Sequence, residues 1–113
     1  MAQLNTYLGK YVMVGGALAG GPTEYVCGFF YSLSSDMISW TRLRLLKEAY
    51  VPWSQQCFPL GTVGEVFPSF IDHQDSTVNF ERPGQTPYLY YTRFNDRDLD
   101  RDLVRVPVTI TAH

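Results

Sequence analysis

The chain has 113 residues, of which 45% are hydrophobic and 15% aromatic, and its formal net charge is −2 with a pI of about 5.5. Only 18% of the residues are charged, which excludes the composition of a disordered chain. Without a surplus of basic residues, we expect binding neither to nucleic acid nor to an anionic membrane. The length is that of one domain with a real core.

The N-terminal half is dominated by strand patterns. Gly15 and Gly16 are predicted to end the second strand, and Ala17 to Pro22 reads as a turn or loop. A helix over Met37 to Tyr50, capped by Ser35 or Asp36, is the alternative to a strand there, but alternating Leu and Arg fit a period of two better. The predicted strands are Gln3 to Tyr7, Lys10 to Val14, Tyr25 to Leu33 and Thr41 to Leu46.

The C-terminal half continues in the same way after a Pro- and Gly-containing connection, Val51 to Gly64. Pro68 falls inside a predicted strand, so we expect it at a sheet edge or a bulge, where its missing N–H is not needed. Between the strands lie a polar loop and a charged turn. The predicted strands are Val66 to Ile71, Tyr88 to Phe94 and Leu103 to Thr111, which gives seven strands and an all-β fold.

Three segments resemble parts of the five-bladed β-propellers of glycoside hydrolase family 43. Asn5 to Gly16 (NTYLGKYVMVGG) is similar to the segment that opens a blade, and Tyr31 to Leu46 (YSLSSDMISWTRLRLL) to the third and fourth strands of that blade. Val66 to Ile110 is similar to the end of such proteins, with its Phe-Pro-Ser, YLYYTR and RDLVRVPV pieces. The resemblance implies a C-terminal portion of two blades: residues 1–50, a connection over 51–65, and residues 66–113.

Two propeller-type blades would leave apolar sheet faces open, because each blade normally packs on the next. We therefore expect the fold to be completed by a homo-oligomer. The resemblance further implies that most catalytic carboxylates of a glycoside hydrolase lie on blades that this chain lacks. A non-catalytic module that binds carbohydrate or forms a self-assembling scaffold is favoured. The alternatives are a glycoside hydrolase site assembled across subunits and a fragment of a longer glycosidase-like protein.

Candidate site residues follow from position and chemistry. Glu65 is a catalytic candidate through the resemblance, since some members of that family have an acid near this point, just before Val66. Asp72 and His73 are candidates because a carboxylate or an imidazole can transfer protons and both follow a predicted inner strand. The ligand-binding candidates are Asp72, His73, Asp75, Tyr90 and Arg93. Alternation along Tyr88 to Tyr91 places one set of tyrosines in the core, and the other on a carbohydrate surface or against another blade.

Other residues are expected to have structural roles. Asp36 is predicted to hold the Ser34–Asp36 turn through its side-chain oxygen, and Trp40 to pack between sheets. Cys27 and Cys57 fit buried free thiols best and a disulfide next. Neither has a partner at metal-ligand spacing, so no metal or cofactor is expected. No signal peptide is visible, which predicts a cytoplasmic product, or a secreted parent protein trimmed of its leader.

Overall fold

The computed structural model describes residues 2–20, 25–50, 64–75, 82–94 and 101–111. Within these ranges all regular structure is β, in seven strands that form two antiparallel sheets of four and three strands. The predictions of an all-β fold and of seven strands are therefore confirmed. None of the described residues belongs to a helix long and apolar enough to cross a membrane.

The first sheet is a simple meander in the order β1-β2-β3-β4. Its strands are β1 (Ala2–Asn5), β2 (Lys10–Gly20), β3 (Tyr25–Ser34) and β4 (Arg44–Glu48). The prediction that Gly15 and Gly16 end β2 is wrong, because β2 continues to Gly20. The loop predicted to begin at Ala17 is therefore also wrong as far as Gly20. Gly15 to Gly20 pair in register with Phe30 to Tyr25, and this cross-strand pairing outweighs the weak strand propensity of glycine.

The strand predicted over Thr41 to Leu46 is present but shifted towards the C-terminus, and the alternative helix over Met37 to Tyr50 does not form. Ser35–Ser39 form bends, and β4 begins only at Arg44. The pairing of β3 with β4 shifts register between Phe29 and Phe30. Gly28 allows this close approach, since a Cβ atom there would clash with the backbone oxygen of Lys47.

The second sheet has the order β5-β6-β7, with β5 (Gly64–Ile71) and β7 (Arg101–Pro107) on either side of β6 (Tyr88–Phe94). The predicted position of Pro68 is confirmed, because the register of edge strand β5 shifts between Val66 and Ser69. This bulge also places Phe67 at a φ of 57°. The strand predicted to reach Thr111 ends at Pro107.

The core lies between the two sheets. It is formed by inward-facing side chains of both, of which Phe29 and Leu89 are the most completely buried. The rings of Phe29 and Tyr91 meet across the interface with centroids 5.3 Å apart. Burial of each such side chain stabilises the fold by about 2 kcal/mol. The buried cluster consists of Val12, Val14, Phe29, Ala49, Phe70, Leu89 and Tyr91.

Polar contacts also tie β1 to the second sheet. Gln3 Nε2 donates to the carbonyl of Phe70 at 2.8 Å, and the fully buried Asn5 donates through Nδ2 to the carbonyl of Gly84 at 2.9 Å. Asn5 Oδ1 also accepts from the amide of Leu8. The strands of the first sheet lie within residues 1–50, and those of the second within residues 66–113 except for Gly64 and Glu65, which begin β5. The interpretation of the two sheets as propeller blades stays a prediction.

Cys27 is disulfide-bonded. The expectation of a free thiol is therefore wrong for Cys27, because its sulfur is held in a covalent bond rather than packed as a small apolar group. Cys57 lies outside the described residues.

Candidate binding face on the second sheet

Alternation along β6 creates two different faces. Leu89 and Tyr91 point into the core, so Tyr88 and Tyr90 point to the opposite, outer face of the second sheet. The prediction that the tyrosines divide between core and surface is thereby confirmed. Arg105 on β7 lies directly opposite Tyr90 and shares its face.

Four side chains meet on this outer face. His73, in the turn after β5, has its Nε2 atom 2.7 Å from the Tyr90 hydroxyl oxygen and its ring centroid 4.9 Å from that of Tyr88. The Arg105 guanidinium lies 4.6 Å from the centroid of the Tyr88 ring, and its Nη1 atom donates to the Tyr90 hydroxyl at 3.4 Å. We name this group, His73, Tyr88, Tyr90 and Arg105, the tyrosine–arginine face.

The electrostatics of the tyrosine–arginine face are cationic. The hydrogen bond to Tyr90 raises the pKa of the Arg105 guanidinium above its ordinary value, so this side chain is charged throughout the physiological range. Within the described part of the chain no carboxylate forms an ion pair with Arg105. The face therefore offers charged N–H donors beside two aromatic rings, which suits an anionic group attached to a ring-shaped body.

The carboxylates of Asp72 and Asp75 both accept hydrogen bonds from backbone amides. Asp72 accepts from the backbone amides of Gln74 at 2.9 Å and Gly84 at 2.8 Å, and Asp75 accepts from the amide of Arg82 at 2.8 Å. Both carboxylates fasten the turn after β5 to the segment that leads into β6. Their effect on the site is to position His73.

Glu65 lies at the other end of β5. Its carboxylate is buried and lies 3.5 Å from the Lys47 ammonium. This ion pair connects β5 of the second sheet to β4 of the first. Seven residues of extended chain separate it from Asp72, which corresponds to roughly 20 Å. The two carboxylates of a glycosidase lie only roughly 5–9.5 Å apart. Glu65 and Asp72 of one chain therefore cannot act on one glycosidic bond.

Arg93 is placed apart from the other candidates. It pairs in register with Glu65 and Asp102, and its odd position puts it on the inner side of β6 with Leu89 and Tyr91. The structure thus brings together His73 and Tyr90 but not Glu65 or Arg93. Tyr88 belonged to the alternating tyrosines of the sequence analysis but was not among the ligand-binding candidates, and neither was Arg105.

Asp36 forms the predicted turn. Its Oδ1 atom accepts from the amides of Ile38 at 2.9 Å and Ser39 at 3.0 Å, and these bonds, first that from Ser39 and then that from Ile38, lower the pKa of the carboxyl. Trp40 does not pack between the sheets. It is half-buried and lines a shallow cleft with Leu33 at one end of the first sheet, outside the buried cluster of described residues.

Among the described residues, no group of three or more His, Cys, Asp or Glu side chains is arranged to hold a metal ion. Comparison with protein-family models, with curated proteins and with solved structures finds no match to this chain. The resemblance to glycoside hydrolase family 43 therefore stays a prediction, and the tyrosine–arginine face has to be interpreted from its own chemistry.

Proposed function

We propose that this chain is a non-catalytic binding module that recognises an acidic carbohydrate on the tyrosine–arginine face. The observation that carries the proposal is the meeting of two tyrosines, a histidine and an arginine on one sheet face. Aromatic rings offer flat apolar surface to the C–H face of a sugar, and Arg105 can bind a carboxylate through two parallel N–H donors. A uronate combines both features.

The separation of Glu65 from Asp72 supports a binding role over catalysis by a single chain. A glycosidase needs its acid and its base or nucleophile on either side of one bond. A site assembled across subunits, with Asp72 or His73 from one copy and Glu65 from another, remains the catalytic alternative. The fragment alternative is tested separately, by reading the gene upstream of Met1 for further blades.

The disulfide at Cys27 favours a secreted parent protein over a cytoplasmic product, because stable disulfides are typical of oxidising compartments. Extracellular proteins meet acidic polysaccharides directly. The proposed ligand class and the proposed compartment are thus consistent with each other.

The test is titration calorimetry with an oligogalacturonate and, in parallel, with an uncharged oligosaccharide of the same length. We expect binding of the acidic ligand and a loss of about tenfold in affinity for Arg105→Gln, with a smaller loss for Tyr90→Phe. Arg101→Gln is the matched control, since Arg101 lies on the same face of β7 and stacks on Phe94 instead. Equal affinity for both oligosaccharides, or no effect of Arg105→Gln, would contradict the proposal.

A catalytic role would give a different result. Turnover of aryl arabinosides or aryl xylosides that is abolished by Asp72→Asn would establish the cross-subunit hydrolase instead. The assay is run at several protein concentrations, because a site built from two copies loses activity on dilution.

Self-assembly is a second candidate function, favoured by a specific observation on the same sheet. Leu103 is 73% exposed and lies opposite Thr92, between the Arg101–Phe94 pair and the tyrosine–arginine face. A second copy seated on this face would bury it, as a neighbouring blade would. Light scattering after size-exclusion chromatography tests this, with Leu103→Glu as the variant that should dissociate an oligomer. A monomer at micromolar concentration would rule out this candidate.

A further inference from the structure

A cleft of about 500 Å³ opens at one end of the interface between the two sheets. Its floor is formed by two buried core residues, Val12 from β2 and Phe70 from β5. Half-buried aliphatic side chains of the first sheet and of the segment after β7, including Leu33, Leu46 and Val108, form its walls. Pockets of this size, mostly apolar and open at one end, are typical of sites for small organic ligands.

The segment after β7 forms one rim of the cleft and is held in place by backbone bonds. The amide of Val108 donates to the carbonyl of Pro87 at 3.0 Å, and the amide of Ile110 donates to the carbonyl of Gln85 at 2.8 Å. The side-chain Nε2 atom of Gln85 donates a hydrogen bond to the carbonyl of Ile110 at 3.2 Å. These bonds fix the rim to the second sheet, so the cleft is a preformed feature of the fold.

The charges at the cleft have one sign. Lys10 and Arg44 line it, and both project from the inner face of the first sheet, because Lys10 shares its face with Val12 and Arg44 lies opposite Tyr31. Both side chains are exposed, and neither forms an ion pair within the described residues. Among the residues that the structure describes, no Asp or Glu lines the cleft. Two cations at the mouth of an apolar cavity are complementary to a ligand with one anionic end and an apolar body.

We propose that this cleft binds a small amphipathic carboxylate, with its chain among the aliphatic side chains and its carboxylate between Lys10 and Arg44. Tyr7 and Tyr31 also line the cleft. The apolar body supplies most of the affinity by burial, and the two cations select the anion and fix its direction. The proposal is independent of the tyrosine–arginine face, which lies on the outer side of the second sheet.

The experiment is calorimetric titration of the full chain with decanoate, with decanol and decylammonium as the neutral and cationic analogues. We expect decanoate to bind most tightly of the three and its affinity to fall with added salt. Arg44→Gln and Lys10→Gln should each weaken decanoate binding about three- to tenfold, with a smaller effect on decanol. Thr109→Glu should weaken decanoate binding while keeping both cations, because Thr109 lines the same cleft and the new carboxylate repels the ligand.

Arg42→Gln is the matched control, since Arg42 is an exposed arginine two residues from Arg44 that does not line the cleft. It should leave decanoate binding unchanged. Thermal unfolding of each variant shows that the fold is retained. The proposal is overturned if decanol binds as tightly as decanoate, if Arg42→Gln and Arg44→Gln have equal effects, or if decanoate does not bind at millimolar concentration.

Discussion

The His73 Nε2 atom lies 2.7 Å from the hydroxyl oxygen of Tyr90, although the two residues are 17 positions apart in the chain. Tyr90 is in the middle of the central strand of the second sheet, whereas His73 belongs to the turn that follows its edge strand. The bond therefore folds the turn back over the sheet. It also places the imidazole beside the Tyr88 ring and so completes the tyrosine–arginine face.

We predict that the contact between His73 and Tyr90 is coupled energetically. His73→Phe and Tyr90→Phe each remove the hydrogen bond and keep a ring, so each should lower the free energy of unfolding by about 0.5–1 kcal/mol. The double variant should cost clearly less than the two single costs added together, because both single variants lose the same His73–Tyr90 bond, while only Tyr90→Phe also loses the bond from Arg105. Urea unfolding of the four proteins measures this, and simple additivity would show that the two side chains do not interact.

The alternation along β6 was readable from the sequence, but the tyrosine–arginine face was not. Strand periodicity separates Tyr88 and Tyr90 from Leu89 and Tyr91, since the side chains of a strand alternate between faces. The face also needs the register that sets Arg105 opposite Tyr90, and the turn that returns His73 to Tyr88. Register and turn geometry depend on contacts between distant segments, which a local pattern does not contain.

The difference between local sequence patterns and contacts between distant segments also explains the errors in the predicted strand boundaries. Gly15 and Gly16 have low strand propensity, yet β2 passes through them because β3 supplies partners over ten paired positions. Pro68 was predicted correctly because proline has a strict covalent constraint, the missing N–H, that tertiary contacts cannot override. Likewise, the sequence predicts that Asp72 follows a strand. It does not predict that Asp72 accepts a hydrogen bond from the amide of Gly84, because that residue is 12 positions away.

Two glycines offer a matched test of the turn between β1 and β2. A Cβ atom would meet nothing within 4 Å at either Gly9 or Gly15, but Gly9 has a φ of 65° and Gly15 lies in β2. Gly9→Ala should lower the free energy of unfolding by about 1 kcal/mol, because L-residues are strained at positive φ. Gly15→Ala should be neutral or stabilising by about 0.5 kcal/mol. Thermal unfolding compares them, and equal effects would refute the assignment of strain to Gly9.

Glu65 should depend more on the ion pair with Lys47 than Lys47 does, because a carboxylate left unpaired in a buried position lowers the free energy of unfolding more than an unpaired, partly exposed ammonium. Lys47 is about one-third exposed, while the Glu65 side chain is 11% exposed. Lys47→Met leaves a buried carboxylate without its partner and should lower the free energy of unfolding by about 1 kcal/mol. Combining it with Glu65→Leu should recover most of that loss, because a buried ion pair can be replaced by packed apolar groups. A double variant less stable than Lys47→Met alone would contradict this account.

Substitutions of Asp72 can distinguish a role in stabilising the turn from a direct contact with the ligand. Asp72→Ala removes two acceptor bonds and should lower the free energy of unfolding by about 1–2 kcal/mol, with a smaller loss for Asp72→Asn, which keeps one acceptor oxygen. Below its unfolding transition, Asp72→Asn should bind oligogalacturonate as the unsubstituted chain does. Calorimetry at 15 °C measures this affinity. Loss of binding without loss of stability would make Asp72 a ligand contact instead.

The turn held by Asp36 should give the chain a pH dependence on the acid side. Backbone amides of Ser39 and Ile38 stabilise the carboxylate, so the pKa of Asp36 lies below its ordinary value of 3.8 in the folded chain. A depressed folded pKa means that the stabilisation is present above pH 3.8 and is lost as the pH falls through the lowered value. The melting temperature of Asp36→Asn should therefore be lower than that of the unsubstituted chain near neutral pH.

The two melting curves should converge as the solution is acidified, because protonation of Asp36 removes the charge that the variant lacks. Glu48→Gln is the control for general charge effects, since Glu48 is an exposed carboxylate at the end of β4. Its difference from the unsubstituted chain should be small at every pH. A gap for Asp36→Asn that stays constant from neutral to acid pH would show that the charge of the Asp36 carboxylate does not stabilise the turn.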